Sequence, residues 1–149
     1  DRTVTDLDGT RQPLLQPREL EALHITKGTL TEEERAQVNE HVRQTYDFLS
    51  KIPWTRELQN IPRLARGHHE KLDGSGYPYG LRGPEIPPQT RMMTIADIFD
   101  ALAAQDRPYK PRVPTETALT ILRQEAANGQ IDSELLDLFI EAKVYELAK

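Results

Sequence analysis

The 149-residue chain contains no cysteine, which excludes disulfides and thiolate metal sites and is compatible with a reducing cytosol. No apolar run approaches the roughly 18 residues of a membrane span, and no signal peptide is visible. Positive charge is not in excess either. The net charge is −5 at pH 7, which argues against a general electrostatic nucleic-acid binder. Neither an internal repeat nor a low-complexity segment occurs, and no stretch alternates as a half-buried strand would. The expectations that follow are a cytoplasmic location, no DNA partner and no membrane contact from this segment.

What is present suits one soluble domain. Charged residues are 29% and hydrophobic ones 37%, ordinary values for a globule, and a chain of this length can bury roughly two-thirds of its unfolded surface. Residues 1–16 are polar, with Asp8-Gly9 as a turn signal and Pro13 and Pro17 as breakers. An irregular arm is expected there, followed by helical turns from Pro17 to Leu23. Thr31 and Glu34 form a capping box. They open a helix with apolar positions at Val38, Val42, Leu49 and Ile52, ended by Pro53. His41 borders that stripe. Pro62 suits the first turn of the next helix, which the pattern carries through His68 and His69 to Gly74.

Residues 74–89 hold four prolines and four glycines and read as a loop. Thr90 is expected to cap the following helix. Ten of the thirteen residues from Met92 to Ala104 are apolar and lie all round the cylinder, as in a buried helix. Residues 106–114 form a second loop. Pro114 opens another helix stopped by Gly129, and Asp132 caps a last one with Leu135, Leu136, Phe139 and Ile140 inward. The fold class is all-α, a multi-helix bundle.

Chemistry concentrates in residues 68–78, His-His-Glu-Lys-Leu-Asp-Gly-Ser-Gly-Tyr-Pro. Imidazoles beside carboxylates suit Zn, Fe or Mn, and the glycines let the chain turn sharply against a ligand. Asp97 and Asp100 are two acids on an apolar helix, where a carboxylate is costly unless paired, hydrogen-bonded or metal-bound. A metal site in a bundle is assembled from facing helices. Here three helices offer donors: His41, then His68 with His69, then Asp97. Consecutive histidines on one helix point about 100° apart, so they suit two ions of a polynuclear centre, which clamps phosphate and activates water near neutral pH. Glu70 either orients a histidine or is an exposed helix residue. Asp73 shapes the turn, Asp100 pairs with an arginine or caps a loop, and His24 is surface. Lys71, Arg82, Arg91, Arg107, Lys110 and Arg112 gather near the motif, as a solvated rim or as a phosphate pocket.

The run from His68 to Pro78 resembles the signature of the HD-GYP family, bacterial metal-dependent phosphodiesterases acting on cyclic dinucleotides. The resemblance continues in Ile95–Leu102, Arg107–Lys110, Leu30–Arg35 and Glu40–Val42, and covers about residues 28 to 142. It implies a helical bundle of the HD-domain superfamily. It implies a polynuclear centre, iron or manganese, held by His41, His68, His69 and Asp97, with Asp97, His68 and His69 catalytic. Tyr77, Arg107 and Lys110 would bind substrate, cyclic di-GMP or a related cyclic dinucleotide. Residues 74–80 would also form a docking surface for diguanylate cyclase domains, and a dimer is compatible.

The His-Asp dipeptide that gives the family half its name occurs nowhere in the chain, which begins at Asp1. The expectation is therefore that residues 28–149 are the C-terminal part of the catalytic domain, truncated on its N-terminal side, with 1–27 an irregular arm bearing a short helix. Such a segment alone would be incomplete, inactive and short of metal. The rival readings are a degenerate nucleotide-sensing or protein-docking module using residues 74–80, and a metal-dependent phosphohydrolase for another nucleotide.

Overall fold

A computed structural model describes residues 3–25, 30–104 and 113–147. The chain divides into two compact units after Glu40. In the first, β1 (Thr3–Thr5) and β2 (Arg11–Pro13) pair antiparallel, Val4 opposite Gln12. The arm expected to be irregular is therefore a hairpin, turned at Gly9 with φ +86°. Strands of three residues, exposed but for half-buried Gln12, are too short to show alternation, and only Asp8-Gly9 announced them. Helix α1 spans Pro17–Leu23. Helix α2 spans Glu32–Asn39 and carries the expected capping box: the Glu34 N–H donates to Thr31 Oγ1 at 3.2 Å, and the Thr31 N–H to Glu34 Oε2 at 2.8 Å.

The elements of the second unit, among its described residues, are all helices, joined by long turns and loops. The single helix expected up to Pro53 is interrupted, and α3 (His41–Leu49) begins after Glu40. Helix α4 is short (Ile61–Ala65), α5 runs Pro88–Ala103, α6 Thr115–Ala127 and α7 Ser133–Glu141. The last two follow their stop and start signals. Gly129 turns out of α6 with φ +72°, and Asp132 accepts the Leu135 N–H at 3.1 Å. The core is Ile95 and Phe99 of α5, Ala118, Leu119 and Leu122 of α6, Ile131, and Leu136 and Phe139 of α7. Truncating one of the buried leucines should cost about 2–5 kcal/mol.

Helix α5 departs from expectation in two ways. Its N-cap is Pro87, while Thr90 lies inside it and is buried. Nor is it buried all round: Met92 and Met93 are 52% and 40% exposed, and Asp100 is exposed with no side-chain partner among the described residues. The two buried hydroxyls have a different use. Thr90 Oγ1 donates to the Leu64 carbonyl at 3.2 Å and Thr94 Oγ1 to the His68 carbonyl at 2.9 Å. Spaced four apart on one face, they fasten the end of α4 and the turn after it to the core helix. The loop predicted over 106–114 falls mostly on residues outside those described.

Candidate metal centre

Helix α4 does not carry the histidines. It ends at Ala65, and residues 66–69 continue as tight turns, the Gly67 and His68 N–H groups donating to Leu64 and Ala65. His68 Nδ1 also donates to the Ala65 carbonyl, using an acceptor that a further helical turn would need. Leaving the helix changes where the rings go. His68 and His69 do not diverge: their centroids lie 4.0 Å apart, and His41 of α3 joins them at 6.0 and 5.1 Å. One ligand atom from each falls within 4.8 Å of the others.

The donor set fits a transition metal. His68, with its Nδ1 hydrogen given to Ala65, keeps a lone pair on Nε2. His69 Nε2 and His41 Nε2 face each other at 3.2 Å. That is close to the roughly 3.3 Å separating two nitrogens on one tetrahedral ion at bond lengths of about 2.0–2.1 Å. His69 is held well below the ordinary imidazole value, down to about 4. Burial is the first cause and the neighbouring His68 the second; Asp97 opposes, and His41 adds to the lowering. Neutral imidazole is the ligating form. Asp97 lies outside the three-histidine cluster, on α5, with Oδ2 3.6 Å from His69 Nδ1 and its side chain 45% exposed. A carboxylate there orients a ligating ring.

Residues 70–81 are folded against the histidines. Glu70 is neither an exposed helix residue nor a histidine partner. It is 2% exposed, and its two oxygens accept the Tyr79 and Leu81 N–H groups, each at 2.8 Å. Gly76 packs so closely that a Cβ would sit 2.3 Å from the Lys71 nitrogen. Asp73 accepts the Ser75 N–H at 2.9 Å, the turn role expected of it. The Tyr77 N–H donates to the His69 carbonyl at 3.2 Å, and the Tyr77 ring stacks on His69 at 4.8 Å. Burial first, then Asp97, raises the Tyr77 phenol above its usual value, so it is a neutral donor at physiological pH.

The basic residues divide. Lys71 pairs with Glu125, and Arg91 spans Asp132, Gly83 and Ile86. These two brace loops and form no phosphate pocket. Arg107, Lys110 and Arg112 lie outside the described residues. Sequence reasoning missed Thr90, Thr94 and the role of Glu70; the threonines' four-residue spacing on an apolar helix was the available signal.

The His69 shift sets a pH dependence. The unfolded imidazole takes up its proton near pH 6.5, the folded one only near 4, so protons favour the unfolded chain across that window. This contribution is intact above pH 6.5 and lost as pH falls toward 4. Metal-free protein should lose roughly 1–2 kcal/mol more between pH 7 and 5 than His69→Gln, allowing for partial solvent screening. Denaturant titrations at the two pH values measure the difference.

A family model described as HD domain matches residues 14–135. The chain belongs to the HD domain family, and the names of its relatives support the HD-GYP resemblance. It is 44% identical over 107 residues to "3'3'-cGAMP-specific phosphodiesterase 3" of Vibrio cholerae, covering 72% of this chain and 22% of that protein. Identity is 42% over 98 residues to "Cyclic di-GMP phosphodiesterase response regulator RpfG" of Xanthomonas campestris, covering 66% and 25%. It is 36% over 118 residues to a "Cyclic di-GMP phosphodiesterase" of Thermotoga maritima, covering 78% and 31%. The chain thus spans a third or less of the length of these relatives.

Proposed function

We propose that the protein is a metal-dependent phosphodiesterase that hydrolyses a cyclic dinucleotide, cyclic di-GMP or 3'3'-cGAMP. The observation that carries this reading is the convergence of His41, His68 and His69 from two separate segments, beside a tyrosine loop fastened to the same turn. The activities for which the relatives are named support the substrate class. His41, His68 and His69 would hold the metal, with Asp97 completing the set or orienting His69. Imidazole and carboxylate donors without thiolate suit iron or manganese. When bound, the metal polarises phosphate oxygens and lowers the pKa of water.

The chain's own groups do the rest. His68 is fixed in one tautomer by Ala65, and His69 stays neutral. Tyr77 offers a phenol and a ring face to a guanine, while Arg107 and Lys110 hold phosphate in the reading drawn from the resemblance. The water oxygen joins phosphorus, the 3′ oxygen leaves, and the water's proton passes to it, giving a linear dinucleotide. Cytoplasmic action fits a cysteine-free chain in which, among the described residues, no helix is long and apolar enough to cross a membrane.

Hydrolysis of cyclic di-GMP and 3'3'-cGAMP by the full-length protein supplied with Fe(II) or Mn(II) tests the reading, since residues 28–149 alone are expected to be inactive. Binding without turnover under every metal would replace it with a nucleotide sensor. Asp97→Asn should lower metal affinity or turnover roughly tenfold to a hundredfold. Asp100→Asn, at an exposed site, should shift stability by no more than about 0.5 kcal/mol and leave turnover unchanged. Equal effects from the two substitutions would remove Asp97 from the centre.

A further inference from the structure

A second row of contacting groups is built from the segments that make the metal centre. In the first row, His41 of α3, His69 of the turn and Tyr77 of the loop follow one another at 5.1 and 4.8 Å. In the second, Tyr46 of α3, Arg66 of the turn and Tyr79 of the loop do the same. The Arg66 guanidinium lies 4.9 Å from the Tyr46 ring centre and 4.8 Å from that of Tyr79. Each row takes one member from each of the three segments.

Arg66 differs from Lys71 and Arg91, and unlike Arg82 it is not exposed. Lys71 and Arg91 are spent on Glu125 and Asp132. Arg66 is half-buried, yet among the described residues its guanidinium has no hydrogen-bond acceptor or ion-pair partner. Its guanidinium carbon lies over both rings, and its N–H groups are left to take an acceptor. Fastening the loop does not account for it, because buried Glu70, the close seat of Gly76 and the Tyr77 N–H already do that. A guanidinium held against two rings loses little further freedom on binding, and its N–H groups are by nature a planar pair of donors. That is the form suited to two coplanar acceptors.

We propose that Arg66 is a nucleotide-binding residue whose N–H edge receives a pair of acceptors. They are two oxygens of a cyclic dinucleotide phosphate, or O6 and N7 of its guanine, which offer the same chemistry. The inference rests on the phosphodiesterase reading for its choice of ligand only.

The test is calorimetric binding of cyclic di-GMP and cyclic di-AMP to chelator-treated, metal-free protein, so that hydrolysis plays no part. Arg66→Ala should weaken cyclic di-GMP binding roughly tenfold to a hundredfold, as loss of a charge-assisted contact does. Arg66→Lys should not restore it, since an ammonium has no planar pair of donors. Hydrogen exchange at the Tyr79 and Leu81 amides should stay unchanged. Equal weakening of cyclic di-AMP assigns the acceptors to phosphate, and weakening confined to the guanine ligand assigns them to the base. Unchanged affinity overturns the proposal, as does absence of binding by the unsubstituted protein. Affinity lost together with amide protection also overturns it, because Arg66 would then only fasten the loop. A failed phosphodiesterase reading would register separately, as missing turnover by the metal-supplied unsubstituted protein.

Discussion

His69→Ala is expected to remove metal and activity together. His69 touches His41 through Nε2, Asp97 through Nδ1 and Tyr77 through its face. Its loss deletes a donor, frees the carboxylate it faces and unseats the ring stacked on it. Turnover should fall on the order of a thousandfold or more, the scale of removing a metal-activated step. Metal content by elemental analysis should fall with it, while helix content by circular dichroism stays intact. The packed core of Ile95, Leu119, Leu122 and Leu136 lies elsewhere. A variant that keeps full metal and loses only turnover would mean that His69 acts on substrate and not as a ligand.

Glu70→Ala is expected to give the largest loss of stability among the motif residues. The carboxylate is buried and takes the backbone N–H groups of Tyr79 and Leu81 in the loop. Removing it orphans both donors, at a cost of roughly 2–5 kcal/mol. Glu70→Gln keeps one acceptor oxygen and presents an amide to the second N–H, so it should fall between. Denaturant titration ranks the three proteins. Activity should drop in the same order, because Tyr77 is held against His69 by the loop that Glu70 secures. If alanine costs less than about 1 kcal/mol, the loop has another anchor.

Local rules made much of this fold legible. The Thr31–Glu34 box, Pro17 and Pro114 at helix starts, Gly129 as a stop and Asp132 as a cap depend on neighbours a few residues away, and each behaves as its type dictates. The hairpin was less visible because its strands bury nothing. Two features of the site depended on distant partners. Gly67, just past the Arg66 cap, is the one local stop signal between Pro62 and Gly74; the end at Ala65 is completed by His68 taking the Ala65 carbonyl and by Thr90 and Thr94 reaching over from α5. The exposed side of α5 was equally hidden, since Met92 and Met93 match buried residues in type. That His68 and His69 sit together was readable from the motif, while His41 joined them through the family resemblance. That all three meet in one cluster required the turn.

The Tyr77 N–H binds the carbonyl of His69, and Glu70 is the next residue in the chain. Metal holding and substrate-loop order therefore share a few bonds of backbone and form one cooperative unit. Loading the histidines should quieten the loop, and anything that grips the loop should tighten the metal by the same factor, since coupling between two sites is reciprocal. Such a centre would report an occupied loop through its metal affinity.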